Sequence, residues 1–104
     1  MIRVNVTYAA TPGARFDHDY YVNRHISMVR ERLTPYGLKG VTVDKGIAGL
    51  EPGAPAAYVC VASVTLESIE GLQSGLAAHG AEIMGDVQNY TDIEPAIQVS
   101  EVLV

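Results

Sequence analysis

The stretch "AYVCVASVTL", residues 57–66, decides the fold. β-branched and aromatic residues dominate it, and no charge falls on either of its two faces. Such a run reads as the strongest strand in the chain. Upstream, "LEPGAPA" (Leu50 to Ala56) is a loop by its Pro and Gly content. Before it, "LKGVTVDKGIAG" is a weaker strand in which Gly40 marks a bulge. Further back, "IRVNVTY" alternates strictly, with Ile2, Val4, Val6 and Tyr8 on one face and Arg3, Asn5 and Thr7 on the other. Between these two strands lies a helix. Asp17 is its N-cap, Asp19 adds negative charge to the first turn, and Phe16 with Tyr21 forms a hydrophobic staple. The helix is expected to end near Leu33, because Thr34 precedes Pro35.

Downstream of residue 66 the period changes. From Ser68 onward Ile69, Leu72, Leu76, Gly80, Ile83 and Val87 recur at helical spacing. Gly71, Gly75 and Gly80 each weaken that helix by up to ~1 kcal/mol, and a break is expected near Gly80 with a short helical piece after it. "PAIQVSEVLV" closes as a strand. The order strand, helix, strand, strand, helix, strand is the ferredoxin-like βαββαβ pattern: an α+β domain over residues 1–104, with two helices on one face of a four-stranded antiparallel sheet. The other face would carry Arg3, Asn5, Thr7, Gln98 and Ser100, too polar for a dry core and too apolar for water. A homodimer that covers this face is the expected solution.

Composition excludes several functions. The chain has 104 residues, 48% of them hydrophobic and 18% charged, which suits one modest core. Its formal net charge is −5 and its seven basic residues are scattered, so neither nucleic acid nor an anionic membrane is an expected partner. Cys60 is alone, within an apolar run in mid-strand, and behaves as a small hydrophobe. "MIRVNVTY" has no signal-peptide core and no apolar run nears a membrane span, so a cytoplasmic location is the expectation.

Chemistry concentrates in "RFDHDYYVNRHISM", residues 15–28. On a regular helix Tyr21, His25, Met28 and Arg32 share a face, with Tyr20 and Arg24 one step around. Histidine titrates near neutrality and a phenol can donate to a developing oxyanion, so the pair suits proton transfer. The competing reading makes Tyr21 core packing and His25 a buried, hydrogen-bonded ring; residue chemistry alone leaves both open. His18 and His25 stand roughly 10 Å apart along the axis and cannot share an ion. His79 lacks the short spacing and third ligand of a metal site, so no metal is expected; its first reading is a helix-terminal charge, its second a pocket residue. No dinucleotide fingerprint or nucleophile elbow occurs, and no bound cofactor is expected. In "GDVQNYTDIEP" (Gly85 to Pro95), Asp86, Tyr90 and Asp92 either rim a pocket or cap a turn.

"GARFDHDYYVNRH" resembles, in Phe16, Asp17, Tyr20, Tyr21 and His25, the signature of the EthD family, named after a protein linked to ethyl tert-butyl ether degradation. "HGAEIMGDVQNYTDIEPAIQVSEV" (His79 to Val102) is similar to the closing segment of its short members. The resemblance implies a dimeric α+β barrel built from two ferredoxin-like units, with a pocket between helices and sheet in each subunit. One departure is Ser27, where the family commonly has proline two positions after its histidine. The resulting expectation is cofactor-free acid–base chemistry on a small carbonyl, cyclic or aromatic compound of catabolism or secondary metabolism. His25 and Tyr21 would be catalytic, with Tyr20, Asn5, Tyr8, His79 and Tyr90 as ligand-binding residues. The alternative is a homodimeric protein that holds a small organic ligand for a partner oxygenase without chemistry of its own.

Overall fold

The computed structural model describes residues 1–104. Four strands, β1 (Ile2–Ala9), β2 (Leu38–Lys45), β3 (Tyr58–Leu66) and β4 (Ala96–Glu101), form one antiparallel sheet in the order β2-β3-β1-β4. The uncharged strand β3 is thus interior, paired along both edges. The β2–β3 register shifts between Leu38 and Gly40, where the bulge was expected. Both crossovers pass over the same face of the sheet, which is the ferredoxin-like fold.

The first helical run starts as predicted. The Asp17 carboxylate accepts from the Tyr20 amide at 3.0 Å, and the Phe16 and Tyr21 rings lie 5.3 Å apart. It continues through three pieces, His18–Tyr20, Tyr21–His25 and Ile26–Leu33, followed by a 3-10 turn at Thr34–Tyr36. The middle piece is a π-helical turn, in which the Ile26 amide donates to the Tyr21 carbonyl. Sequence periodicity does not foresee it. Its extra residue lets Tyr21, His25 and Ile26 all face inward, and the buried stripe then runs Ile26, Val29, Leu33. Met28 and Arg32 accordingly leave the face they were expected to share. Ser27 is exposed and the helix passes it without interruption, so the local irregularity comes from the π turn.

The second helix, Ile69–Gly85, opens at Ser68, whose hydroxyl accepts from the Gly71 amide at 3.1 Å. It does not break near Gly80; a single 3-10 turn, Val87–Asn89, follows its end. Tertiary contact overrides the glycine penalty here. A Cβ on Gly71 would stand 2.3 Å from the Tyr36 carbonyl oxygen, and one on Gly75 would stand 2.8 Å from a Leu33 methyl. The glycines let this helix approach the end of the first one, an apposition also tied by Arg32, which donates to both Glu82 oxygens at 2.9 and 3.2 Å.

The core divides in two. Tyr8, Tyr21, Ile26, Cys60, Ala62 and Tyr90 form one cluster, and Val29, Leu33, Val64, Leu66 and Leu72 form the other. Burial pushes the Cys60 thiol up to about 11, with Asp44 adding to the shift, so it stays protonated at neutral pH. The opposite sheet face carries a polar lattice. Asn5 donates to Ser63 at 3.5 Å and accepts from Ser100 at 2.9 Å, and Arg3 donates to Thr65 at 3.3 Å. No helix of the structure is long and apolar enough to cross a membrane.

Candidate functional site

A cavity of about 260 Å³ lies between the two helices and the sheet, touching both core clusters. Of its 19 lining residues 16 are hydrophobic, which suits a largely apolar guest. Val4, Val6 and Tyr8 reach it from β1, because even-numbered positions of that strand face the helices. Leu76, Gly80, Ile83 and Met84 reach it from the second helix. The polar atoms of the lining are confined to one end, where Tyr8, Tyr21, His25 and Tyr90 meet.

His25 is 5% exposed, and its Nδ1 lies 2.9 Å from Oδ2 of Asp86. A carboxylate accepts hydrogen bonds, so Nδ1 carries the proton and donates. Nε2 has no protein partner, yet no side-chain nitrogen or oxygen is both sealed from solvent and unpartnered. Nε2 therefore presents a free lone pair to accessible space, and His25 lines the cavity. The imidazole is sandwiched in place by aromatic rings: Tyr21 stacks on it at 5.3 Å and Tyr90 lies at 4.8 Å. Burial lowers the histidine below its ordinary value, with Asp86 pulling partly back. The ring is thus held neutral, with one lone pair available.

Asp86 sits just past the second helix and gathers three donors. It accepts from His25, from the Tyr20 hydroxyl at 2.7 Å and from Asn89 at 2.9 Å. Burial pushes its carboxyl up, but the bonds from Asn89, Tyr20 and His25 together outweigh this and hold it below its ordinary value. Tyr20 consequently braces Asp86 rather than lining the cavity, and the bond to that carboxylate, with burial, raises its phenol.

The other phenols form a buried chain. Tyr8 and Tyr90 hydroxyls are 2.7 Å apart, and that of Tyr8 reaches Tyr21 at 3.5 Å. Burial drives Tyr21 and Tyr90 well above the ordinary phenol value, reinforced in each case by Tyr8. They are neutral hydroxyls at neutral pH.

Of the expected residues, Tyr21, His25, Tyr8 and Tyr90 are brought together around the cavity. Asn5 is not. It stands at an odd position of β1 and faces the polar side of the sheet, where Ser63 and Ser100 hold it. His79 is not there either, because the helix continues past it; its ring packs on Tyr36 at 6.0 Å and lies 3.9 Å from Glu82. His18 is half-buried against Phe16 at 4.7 Å. Asp92 accepts from the Arg15 amide and serves the turn. Asp86 caps the end of the second helix and does not line the cavity; it reaches the site only through its bond to His25.

No protein-family model matches the chain, and no curated protein matches it. Solved structures do. An EthD-like protein from Ralstonia eutropha is 50% identical, with a TM-score of 0.93, over 99% of this chain and 92% of that one. An EthD family protein from Bacillus halodurans is 19% identical at a TM-score of 0.67, covering 99% of both chains. A dimeric ferredoxin-like protein from an uncultured marine organism is 10% identical at 0.56, over 100% of this chain and 96% of that one. Fold and cleft define a ferredoxin-like α+β protein with an apolar chamber between helices and sheet. The chain belongs to the EthD family.

Proposed function

We propose that this protein is a small-molecule enzyme that moves a proton on a cyclic or aromatic carbonyl compound, using its own side chains for the acid–base work. The observation that carries the reading is the Asp86–His25 pair at the polar end of an otherwise apolar cavity. Nε2 takes a proton from the carbon next to the carbonyl. The C–H electron pair becomes the enolate double bond, and the carbonyl π pair moves to oxygen, where a phenol hydroxyl of Tyr21 or Tyr90 donates to it. The imidazolium so formed is stabilised by Asp86; its Nε2 proton exchanges with solvent, and Nε2 then returns a proton to carbon, restoring the ketone, or to oxygen, giving the enol. The substrate belongs to catabolism or secondary metabolism in this reading, consistent with membership of the EthD family.

The test is deuterium incorporation. β-Tetralone is incubated in D₂O with wild type and with His25→Ala, and loss of its α-proton signal is followed by NMR against a protein-free control. Wild type should accelerate exchange, and His25→Ala should lose about 10²- to 10⁴-fold of that acceleration with the fold intact. Equal acceleration by the variant would remove His25 from the chemistry.

A second reading, a protein that holds an apolar ligand for a partner oxygenase, is favoured by the extent of the apolar wall. It gives binding without exchange. In either reading the polar sheet face, with Asn5, Ser63, Ser100 and Arg3, is the surface that a second copy covers.

A further inference from the structure

Three phenol hydroxyls meet at the cavity, and their protons can be counted. Tyr8, Tyr21 and Tyr90 bring one proton each, and the hydroxyls contact only one another, through Tyr8–Tyr90 at 2.7 Å and Tyr8–Tyr21 at 3.5 Å. Two contacts consume two protons, even if the long one is counted as a bond. Whichever way the chain is oriented, at least one O–H is left over, and all three residues line the cavity. An unspent O–H is thus left within the hydroxyl cluster that walls this end of the cavity.

The chamber also offers one acceptor. Asp86 fixes the His25 proton on Nδ1, leaving the Nε2 lone pair. No Lys, Arg, Asp or Glu is among the lining residues. A carboxylate entering the chamber would meet no cation there, and would bring its charge toward Asp86 behind the imidazole. Burying an unpaired charge in such a place is strongly unfavourable. The size is bounded as well, since an apolar cavity of roughly 150 Å³ accepts benzene and this one is larger by enough for a second fused ring.

We infer that the cavity selects an uncharged one- or two-ring compound with an acceptor oxygen next to an acidic C–H or O–H, and discriminates against both the matching hydrocarbon and the matching carboxylate. The inference rests on the reading that this cleft is the functional site. It does not require that any proton be transferred.

Three probes of similar shape test it: β-tetralone, tetralin and naphthoate, titrated at pH 7.5 with isothermal calorimetry and with NMR. The expected result is about tenfold or more tighter binding of the ketone than of either other probe, with shifts centred on His25, Tyr21 and Ile83. Equal binding of tetralin, or tighter binding of naphthoate, would overturn the inference while leaving the cavity a ligand site. Failure of all three probes to bind would overturn both this inference and the use of the cleft. Selective ketone binding without α-proton exchange would uphold the inference and sink the catalytic reading alone.

Discussion

Asp86 holds Nδ1 of His25 at 2.9 Å across a sequence separation of 61 residues, and this contact decides which nitrogen of the ring carries the proton. Asp86→Asn tests that consequence. An amide in place of the carboxylate can donate to Nδ1, moving the ring proton to Nε2 and removing the lone pair from the cavity. The tautomer change should appear in ¹⁵N spectra of the histidine. Any α-proton exchange should fall by about 10²-fold or more, toward the full contribution of a general base. Asp86→Glu, which keeps an acceptor, should recover part of it. A variant with normal exchange and an unmoved tautomer would show that Asp86 is only a turn residue.

pH dependence follows from the same ring. Burial sets the folded value of His25 below its ordinary 6.5, and the groups that face it are Asp86, Tyr21 and Tyr90, with Tyr20 acting through Asp86. The unfolded chain then binds the proton more readily than the fold. Stability from the neutral ring is complete above 6.5 and is lost as pH falls from there toward the lower folded value. Asp86, depressed below its ordinary 3.8, contributes stability above that pH which is lost on further acidification through its folded value. Urea midpoints should therefore fall between pH 7.5 and 5, and less so in His25→Phe. Exchange activity should rise with pH to a plateau, with a midpoint below 6.5. A midpoint above 6.5 would mean that the carboxylate outweighs burial.

The glycines of the second helix should divide by their surroundings. Gly85 has no heavy atom within 4 Å of a built Cβ, and its φ is not positive. Gly85→Ala should stabilise the protein by up to ~1 kcal/mol through helix propensity. Gly71→Ala meets the Tyr36 carbonyl oxygen at 2.3 Å and should destabilise by ~1–3 kcal/mol despite the same propensity gain. Thermal melts of the two variants check the pair. Stabilisation by both would mean that the two helices are free to separate at that end.

The polar sheet face predicts association. Sedimentation equilibrium should give twice the chain mass of 11.1 kDa, and Ser63→Lys, placing a charge at the middle of the face, should shift the mass toward the single chain. A single-chain mass for wild type at micromolar concentration would leave that face open to water.

Much of the fold is legible in the residues. Strict alternation over Ile2 to Tyr8 assigns β1 and its inward face, and the uncharged run of residues 57–66 assigns a second strand. The same alternation already separates Tyr8 from Asn5, so only one of them could reach a pocket on the helix side. Two features escape local pattern. The π turn at Tyr21–His25 arises from packing of both His25 and Ile26 against the sheet, and no 3.6-residue period signals it. The unbroken second helix owes its continuity to contacts of Gly71 and Gly75 with residues far back in the chain. At the site, Tyr21 and His25 announce themselves by their unusual density on one helix. Asp86 does not, because a carboxylate before "VQN" looks like an ordinary turn cap until the fold lays it beside the imidazole.

The most direct measurement is a long-range ¹H–¹⁵N spectrum of the three histidines at pH 7.5, with and without β-tetralone. His25 should be neutral, protonated on Nδ1 and bare on Nε2, with its Nε2 signal moving most strongly of the three when the ketone is added. A His25 that carries its proton on Nε2, or that stays unmoved while the ketone binds elsewhere, would contradict this assignment.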